Sequence, residues 1–212
     1  MKPIYIFDLD GTLVDSMPRF AKGILKIADD AGISYDGELL KILTPLGYRG
    51  SAEYYVRELG VKDSVDHIVK QIENNLEYEY ANNILPKSGV KEYLFHLHEL
   101  GARLFVLTAS PHLVTDVCLK RNGLYDLFEQ VWSVDDFSLT KSDTRLFYEV
   151  ADRLSCKPEE IHYFDDSLIA LKNAKKAGYI TYAVYDAQSP EEVACMKREY
   201  AVYVDSFASL LG

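Results

Sequence analysis

Apolar and polar positions divide the chain into stretches of different rhythm. Residues 3–7 (Pro-Ile-Tyr-Ile-Phe) form a short apolar run that stops abruptly at Asp8. A run apolar at successive rather than alternate positions predicts a strand buried on both faces. From Ser16 to Ala81 the pattern changes to helices only. Apolar residues recur at helical spacing over 17–31, 51–59 and 64–81, with Gly32, Gly60 and the stretch Pro45 to Gly50 at the breaks. The segment from Ile84 to Gly89 reads as a hinge, with Ser88 a candidate N-cap. Val90, Leu94, Leu97 and Leu100 then form one helical face, which Gly101 closes.

Beyond Gly101 the chain alternates. Strands are predicted at 103–107, 130–133, 161–164, 179–184 and 200–204. Helices are predicted at 111–121, 143–154 and 167–176, the last ended by Gly178. A further helix should open at Ser189-Pro190-Glu191-Glu192, a capping box with proline at its first helical position. Such alternation defines an α/β fold, a doubly wound parallel sheet with helices on both faces. Residues 15–85 have no strand to contribute and read as an all-α insertion after the first strand. The expected division is a sheet domain of 1–14 and 86–212 with a helical domain of 15–85.

Composition narrows the classes. With 212 residues, 48% hydrophobic and 26% charged, the chain is long and apolar enough for a sizeable core, which excludes a disordered protein. The 23 Lys+Arg against 33 Asp+Glu give a net charge of −10, and no window is densely basic, so nucleic acid is not an expected partner. No apolar run is long enough for a membrane span. The start, MKPIYIFDLDG, lacks the cationic and apolar regions of a signal peptide. Cys118, Cys156 and Cys195 are odd in number and far apart, which supports neither a disulfide framework nor a zinc knuckle. A monomer in a reducing cytoplasm is the expectation.

Candidate chemistry lies at the carboxyl ends of the strands, where open parallel sheets carry their sites. Three strands end in polar groups: Asp8-Leu9-Asp10-Gly11-Thr12, Thr108-Ala109-Ser110 and Asp165-Asp166-Ser167. Any one could merely cap the following helix, whereas all three together point to a site. Carboxylates brought together repel, and a bound cation is the usual remedy. Asp8, Asp10, Asp165 and Asp166, without a neighbouring thiol or imidazole, suit a hard, oxygen-seeking ion, which points to Mg²⁺.

FDLDGTL at 7–13 resembles the first motif of the haloacid dehalogenase superfamily, whose largest group is aspartate-nucleophile phosphatases. Thr108 is similar to the second motif, Lys141 to the third, and Asp165-Asp166 to the fourth; the helix around 171–178 also matches. The resemblance covers nearly the whole chain and implies a Rossmann-like core with 15–85 as an α-helical cap, close to the β-phosphoglucomutase and phosphoglycolate-phosphatase members. It implies Mg²⁺-dependent hydrolysis of a small phosphorylated metabolite. Asp8 would be the nucleophile that forms an aspartyl-phosphate, and Asp10 the acid and then the base. Thr108 and Lys141 would hold the transferring phosphoryl group, together with Gly11, Thr12 and Ala109. Asp8, the backbone carbonyl of Asp10, Asp165 and Asp166 would hold the metal.

Some positions depart from the family pattern. Ala170 stands where many members have a further aspartate, Ala109 where phosphatases often have asparagine, and Lys141-Ser142-Asp143 where relatives often have prolines. The alternative readings are a phosphomutase of the β-phosphoglucomutase type and a non-catalytic binding protein on the same fold. Thr12 favours the phosphatase, since such mutases usually carry valine there, and retention of both Asp8 and Asp10 favours an enzyme. Arg19, Tyr48 and Arg49 are candidate specificity residues in the cap. Arg49 leads, as a cation in a loop that Pro45, Gly47 and Gly50 would shape. His112 and Cys118 read as structural.

Overall fold

A computed structural model of the chain describes residues 2–186 and 190–211. The elements run β1 (Ile4–Phe7), α1 (Met17–Asp30), α2 (Gly37–Leu43), α3 (Gly47–Arg57), α4 (Val65–Asn82) and α5 (Val90–Glu99). They continue with β2 (Arg103–Thr108), α6 (His112–Arg121), β3 (Gln130–Ser133), α7 (Thr144–Leu154) and β4 (Ile161–Asp165). The chain closes with α8 (Leu168–Ala177), β5 (Ile180–Val184), α9 (Pro190–Glu199) and β6 (Val202–Val204). It separates into two compact units, Met1–Asp15 with Leu85–Gly212, and Ser16–Ile84. No helix among the described residues is long and apolar enough to cross a membrane.

The first unit is the doubly wound α/β fold. Its strands lie in the order β3-β2-β1-β4-β5-β6, and every neighbouring pair is parallel. The pleat explains why β1 is apolar at successive positions. Ile6 and Tyr163 enter a core with Leu107, Leu146, Phe147, Leu171 and Tyr179. Phe7 and Phe164, one residue on, stack with each other at 4.8 Å and meet Tyr93 and Phe207. Each such ring or aliphatic side chain, fully buried, contributes about 1.5–3 kcal/mol before the entropy of ordering is set against it.

The start of α5 departs from the expected cap. Ser88 does not cap it: Gly89, at φ +80°, is the residue before the helix, and the Ser88 carbonyl instead accepts from the Ser206 hydroxyl at 3.2 Å. Glycine is required at 89 because a Cβ there would lie 2.1 Å from the Ala208 backbone nitrogen. Backbone cannot move aside as a side chain can. Left-handed strain and overpacking together put the cost of Gly89→Ala on the order of 3 kcal/mol. At ~2–4 °C per kcal/mol for a chain of this size, the melting temperature should fall by roughly 6–12 °C. A thermal melt of that variant checks the packing of the C-terminal segment, and an unchanged melting temperature would contradict it.

The second unit is all-helical. Helices α1, α2, α3 and α4 bury Ile24, Ile27, Leu43, Tyr55, Ile72 and Leu76 against one another. Tyr55 is fully buried, and its hydroxyl donates to the Ile24 carbonyl at 2.9 Å. Two features here differ from the expected pattern. Helix α2 occupies a stretch where none was expected, with Asp36 accepting from the Glu38 N–H at 3.0 Å as its cap. The stretch 44–50 is not a loop: Thr44–Leu46 is a turn of 3-10 helix, and α3 already begins at Gly47. Proline and glycine suggested a break, but proline is tolerated in a helix's first turn, and glycine inside a helix weakens it without ending it. The expected cap residue Ser189 lies outside the described residues, and the helix is described from Pro190.

Candidate active site

Topology assembles the site. β1 lies between β2 and β4, and Phe7 is in register with Val106 on one side and Phe164 on the other. The residues just past these positions, Asp8, Thr108 and Asp165, therefore emerge together at the carboxyl edge. The Asp8 N–H still donates to the Phe164 carbonyl at 2.9 Å, so the strand direction carries through to the carboxylate. Past Asp8 the chain turns sharply. Leu13 and Val14 N–H groups both donate to the Leu9 carbonyl, and Gly11 sits at φ +72°. A Cβ at Gly11 would lie 2.6 Å from Asp166 Oδ2, so glycine is needed both for the backbone and for space.

Lys141 is the charge centre. Its Nζ lies 2.5 Å from Asp8 Oδ1 and 2.9 Å from Asp165 Oδ2, with its side chain only 12% exposed. Burial disfavours the ammonium, but Asp165 and Asp8 more than offset this and hold its pKa above the ordinary lysine value. Asp165 is completely buried and also accepts from the Tyr163 hydroxyl and, at 2.7 Å, from the Ser167 N–H. Asp10 is half-buried, and its Oδ2 accepts from the Ser110 hydroxyl at 2.6 Å. Ser110 is fixed in turn through its N–H, which donates to the buried Thr108 hydroxyl at 3.1 Å. Thr12 is fully buried and donates to Asp166 Oδ1 at 3.4 Å.

One oxygen each from Asp8, Asp165 and Asp166 lies within 4.8 Å of the other two. This all-oxygen donor set fits a hard divalent cation. Its crowding has an electrostatic signature. Burial, with Asp165 and Asp10 adding repulsion against the attraction of Lys141, pushes Asp8 up to about 7. Burial, then Asp165, Asp8 and Asp186, pushes Asp166 up to about 8.

A free aspartate titrates near 3.9, so the folded site holds these protons more tightly than the unfolded chain does. Stability present at low pH is then lost as pH rises through about 7 for Asp8 and about 8 for Asp166. In EDTA the melting temperature should fall steadily between about pH 5 and about pH 8. A cation stabilises the ionised form, so the gain on adding Mg²⁺ should grow over the same interval. A thermal-shift series at several pH values measures both, and a Mg²⁺ gain independent of pH would contradict the crowding.

The sequence candidates are thus mostly brought together. Asp8, Asp10, Gly11, Thr12, Thr108, Lys141, Asp165 and Asp166 form one connected set, and Ala109 is exposed beside it in the turn after β2. Arg49 belongs to the helical unit, on α3 rather than in a loop. There it is exposed and paired with Asp66 at 3.0 Å and Glu53 at 4.0 Å. Arg19 and Lys22 share the buried Glu79. His112 is held between Asp116 and Asp136, and burial pushes the Cys118 thiol up to about 11, away from a reactive thiolate.

Three partners, Tyr163, Lys87 and Asp186, were not among the sequence candidates, and Ser110 stood among the polar strand ends without a role of its own. Ser110 orients Asp10, Tyr163 anchors Asp165, and Lys87 and Asp186 meet at the Gly11 turn. Tyr163 was legible in principle, being two residues before Asp165 on the same face of β4. Asp186 lies two residues past β5, where the strand-end rule applies as it does to the other strands.

The family profile of the haloacid dehalogenase-like hydrolases matches residues 5–184. The chain belongs to that family. Among curated relatives it is 25% identical over 173 residues to a phosphorylated carbohydrates phosphatase of Thermotoga maritima, covering 82% of this chain and 80% of the relative. It is 24% identical to a phosphoglycolate phosphatase of Agrobacterium fabrum, covering 99% and 91%. Among solved structures, a Thermotoga maritima protein provisionally named a β-phosphoglucomutase matches with a TM-score of 0.87 at 23% identity, covering 100% and 98%. That likeness shows the shared fold.

Proposed function

We propose that this protein is a Mg²⁺-dependent phosphatase that hydrolyses a small phosphorylated metabolite through an aspartyl-phosphate on Asp8. The observation that carries the reading is one turn bearing two differently held carboxylates: Asp8 against Lys141 at 2.5 Å, and Asp10 against Ser110 at 2.6 Å. The phosphatase names of the curated relatives support it.

Asp8 Oδ attacks phosphorus while the bond to the leaving oxygen breaks, and Asp10 gives that oxygen its proton. Water then attacks the phosphorus of the aspartyl-phosphate, Asp10 takes the water's proton, and Asp8 is regenerated. Lys141 and the Thr108 hydroxyl hold the phosphoryl oxygens, with Lys141 supplying positive charge where negative charge gathers. Asp8, the Asp10 carbonyl, Asp165 and Asp166 would hold Mg²⁺, with Asp165 also directing Lys141 from within the same cluster. Bound there, the cation offsets the repulsion between an anionic ester and an anionic nucleophile. All of these groups address the phosphoryl group, which every phosphomonoester shares.

A panel of phosphorylated metabolites, assayed for phosphate release with Mg²⁺ and with EDTA, tests the reading. Release from one structural class, abolished by EDTA and restored by Mg²⁺, is expected. Release undiminished in EDTA would contradict it. So would conversion of a sugar phosphate to its isomer without free phosphate, which would make the protein a mutase.

A further inference from the structure

Lys87 follows the hinge residue Pro86, and Asp186 follows β5; the reaction proposed above uses neither. The Lys87 ammonium nevertheless reaches three acceptors. It donates to the Gly11 carbonyl at 2.7 Å, to Asp186 Oδ1 at 3.1 Å and to the Tyr185 carbonyl. An ammonium has three protons, so its donor capacity is spent on these groups. The side chains of Lys87 and Asp186 are only 17% and 11% exposed, so this is not a solvated surface pair. It joins parts of the chain 76 and 99 residues apart.

Its placement matters because of what Gly11 touches. From the position of a Gly11 Cβ, Asp166 Oδ2 lies at 2.6 Å and Asp186 Oδ2 at 3.0 Å. Two carboxylates thus crowd the same side of the turn that carries Asp8 and Asp10, and they repel. A cation bonded both to the turn and to one carboxylate lets all three stay in place.

The geometry points to Lys87 and Asp186 as a latch: a pair of positioning residues that ties the loop after β5 to the Gly11 turn and so fixes the geometry of the Asp8, Asp10 and Asp166 site. The latch holds the Gly11 peptide from its carbonyl side, while the Gly11 N–H donates to Val14 at 3.0 Å on the other. Without it the turn keeps its internal bonds but loses its outer anchor.

The test uses Lys87→Met with Asp186→Asn in one protein, which removes the latch without changing net charge and keeps both side chains near their original size. Hydrogen exchange of the metal-free protein reads the turn directly through the Gly11, Leu13 and Val14 amides, whose acceptors lie within the turn. Exchange across 9–14 should accelerate about tenfold or more, while the amides of β2 stay within about twofold of the parent. Mg²⁺ affinity, measured by calorimetry, should fall about tenfold. This second arm rests on the phosphatase reading, whereas the exchange arm does not. A parent that binds no Mg²⁺ would overturn that reading and leave the latch to be judged by exchange. Asp186→Asn alone keeps the two carbonyl bonds of Lys87 and should show a smaller acceleration in the same segment, which also covers a double variant that does not fold. Turn amides that exchange at the parent rate in either folded variant would overturn the latch.

Discussion

Asp8→Asn should leave a folded protein with less than about one percent of the parent turnover on any phosphomonoester. Phosphomonoester hydrolysis is among the slowest uncatalysed reactions, and a neutral amide cannot replace the carboxylate that divides it into two steps. The same substitution should not harm the fold. Asp8 is buried at a site that pushes its pKa to about 7, so its charge opposes folding in the metal-free protein. The amide removes that charge at almost the same size, and Lys141 keeps Asp165 as partner at 2.9 Å. In EDTA near pH 8 the variant should melt no lower than the parent, and its Mg²⁺-induced gain should shrink. Steady-state assays paired with melting curves measure both. Residual turnover above that level in a purified protein would remove Asp8 from the nucleophile role.

Asp10→Asn should cost about 10²–10⁴-fold in kcat on a substrate with a poor leaving group such as an alkyl phosphate, the usual worth of general acid–base catalysis. The loss separates into two steps. With p-nitrophenyl phosphate the leaving group needs almost no proton, so formation of the aspartyl-phosphate should stay fast. Hydrolysis of that intermediate still needs a base and should be slow. Mg²⁺ binding should persist, because the Asp10 side chain is turned to Ser110 and only its backbone carbonyl is assigned to the cation. Equal losses in the first step for poor and good leaving groups would contradict the acid role.

The fold was legible because a parallel sheet announces itself twice over. Its central strands are apolar at successive positions, as Ile4 to Phe7 are, and three of them stop at a polar group. Asp8, Thr108 and Asp165 stood out for that reason, and the register of β1 with β2 and β4 then brought them together. Lys141 could be placed only by resemblance, since nothing local indicates that a lysine 133 residues from Asp8 will meet it. The stretch 44–50 misled because proline and glycine are read as breakers, whereas here they open helical turns. Lys87 and Asp186 were invisible for a different reason. Each is a common residue in a short connection, and its meaning arises only when two distant loops converge on the Gly11 turn. Tyr163 was read as one more apolar strand residue, although its hydroxyl ends on Asp165.

In the proposed reaction the phosphoryl group passes through a covalent bond to Asp8. Asp10→Asn mixed with p-nitrophenyl phosphate and Mg²⁺ examines it directly, by rapid release of p-nitrophenol followed by acid quench and mass analysis of the peptide that spans residue 8. A burst of about one p-nitrophenol per active site is expected, with one added phosphoryl group on Asp8 that alkali removes. Steady release without a burst, an unmodified peptide, or a phosphoryl group on any other residue would contradict it.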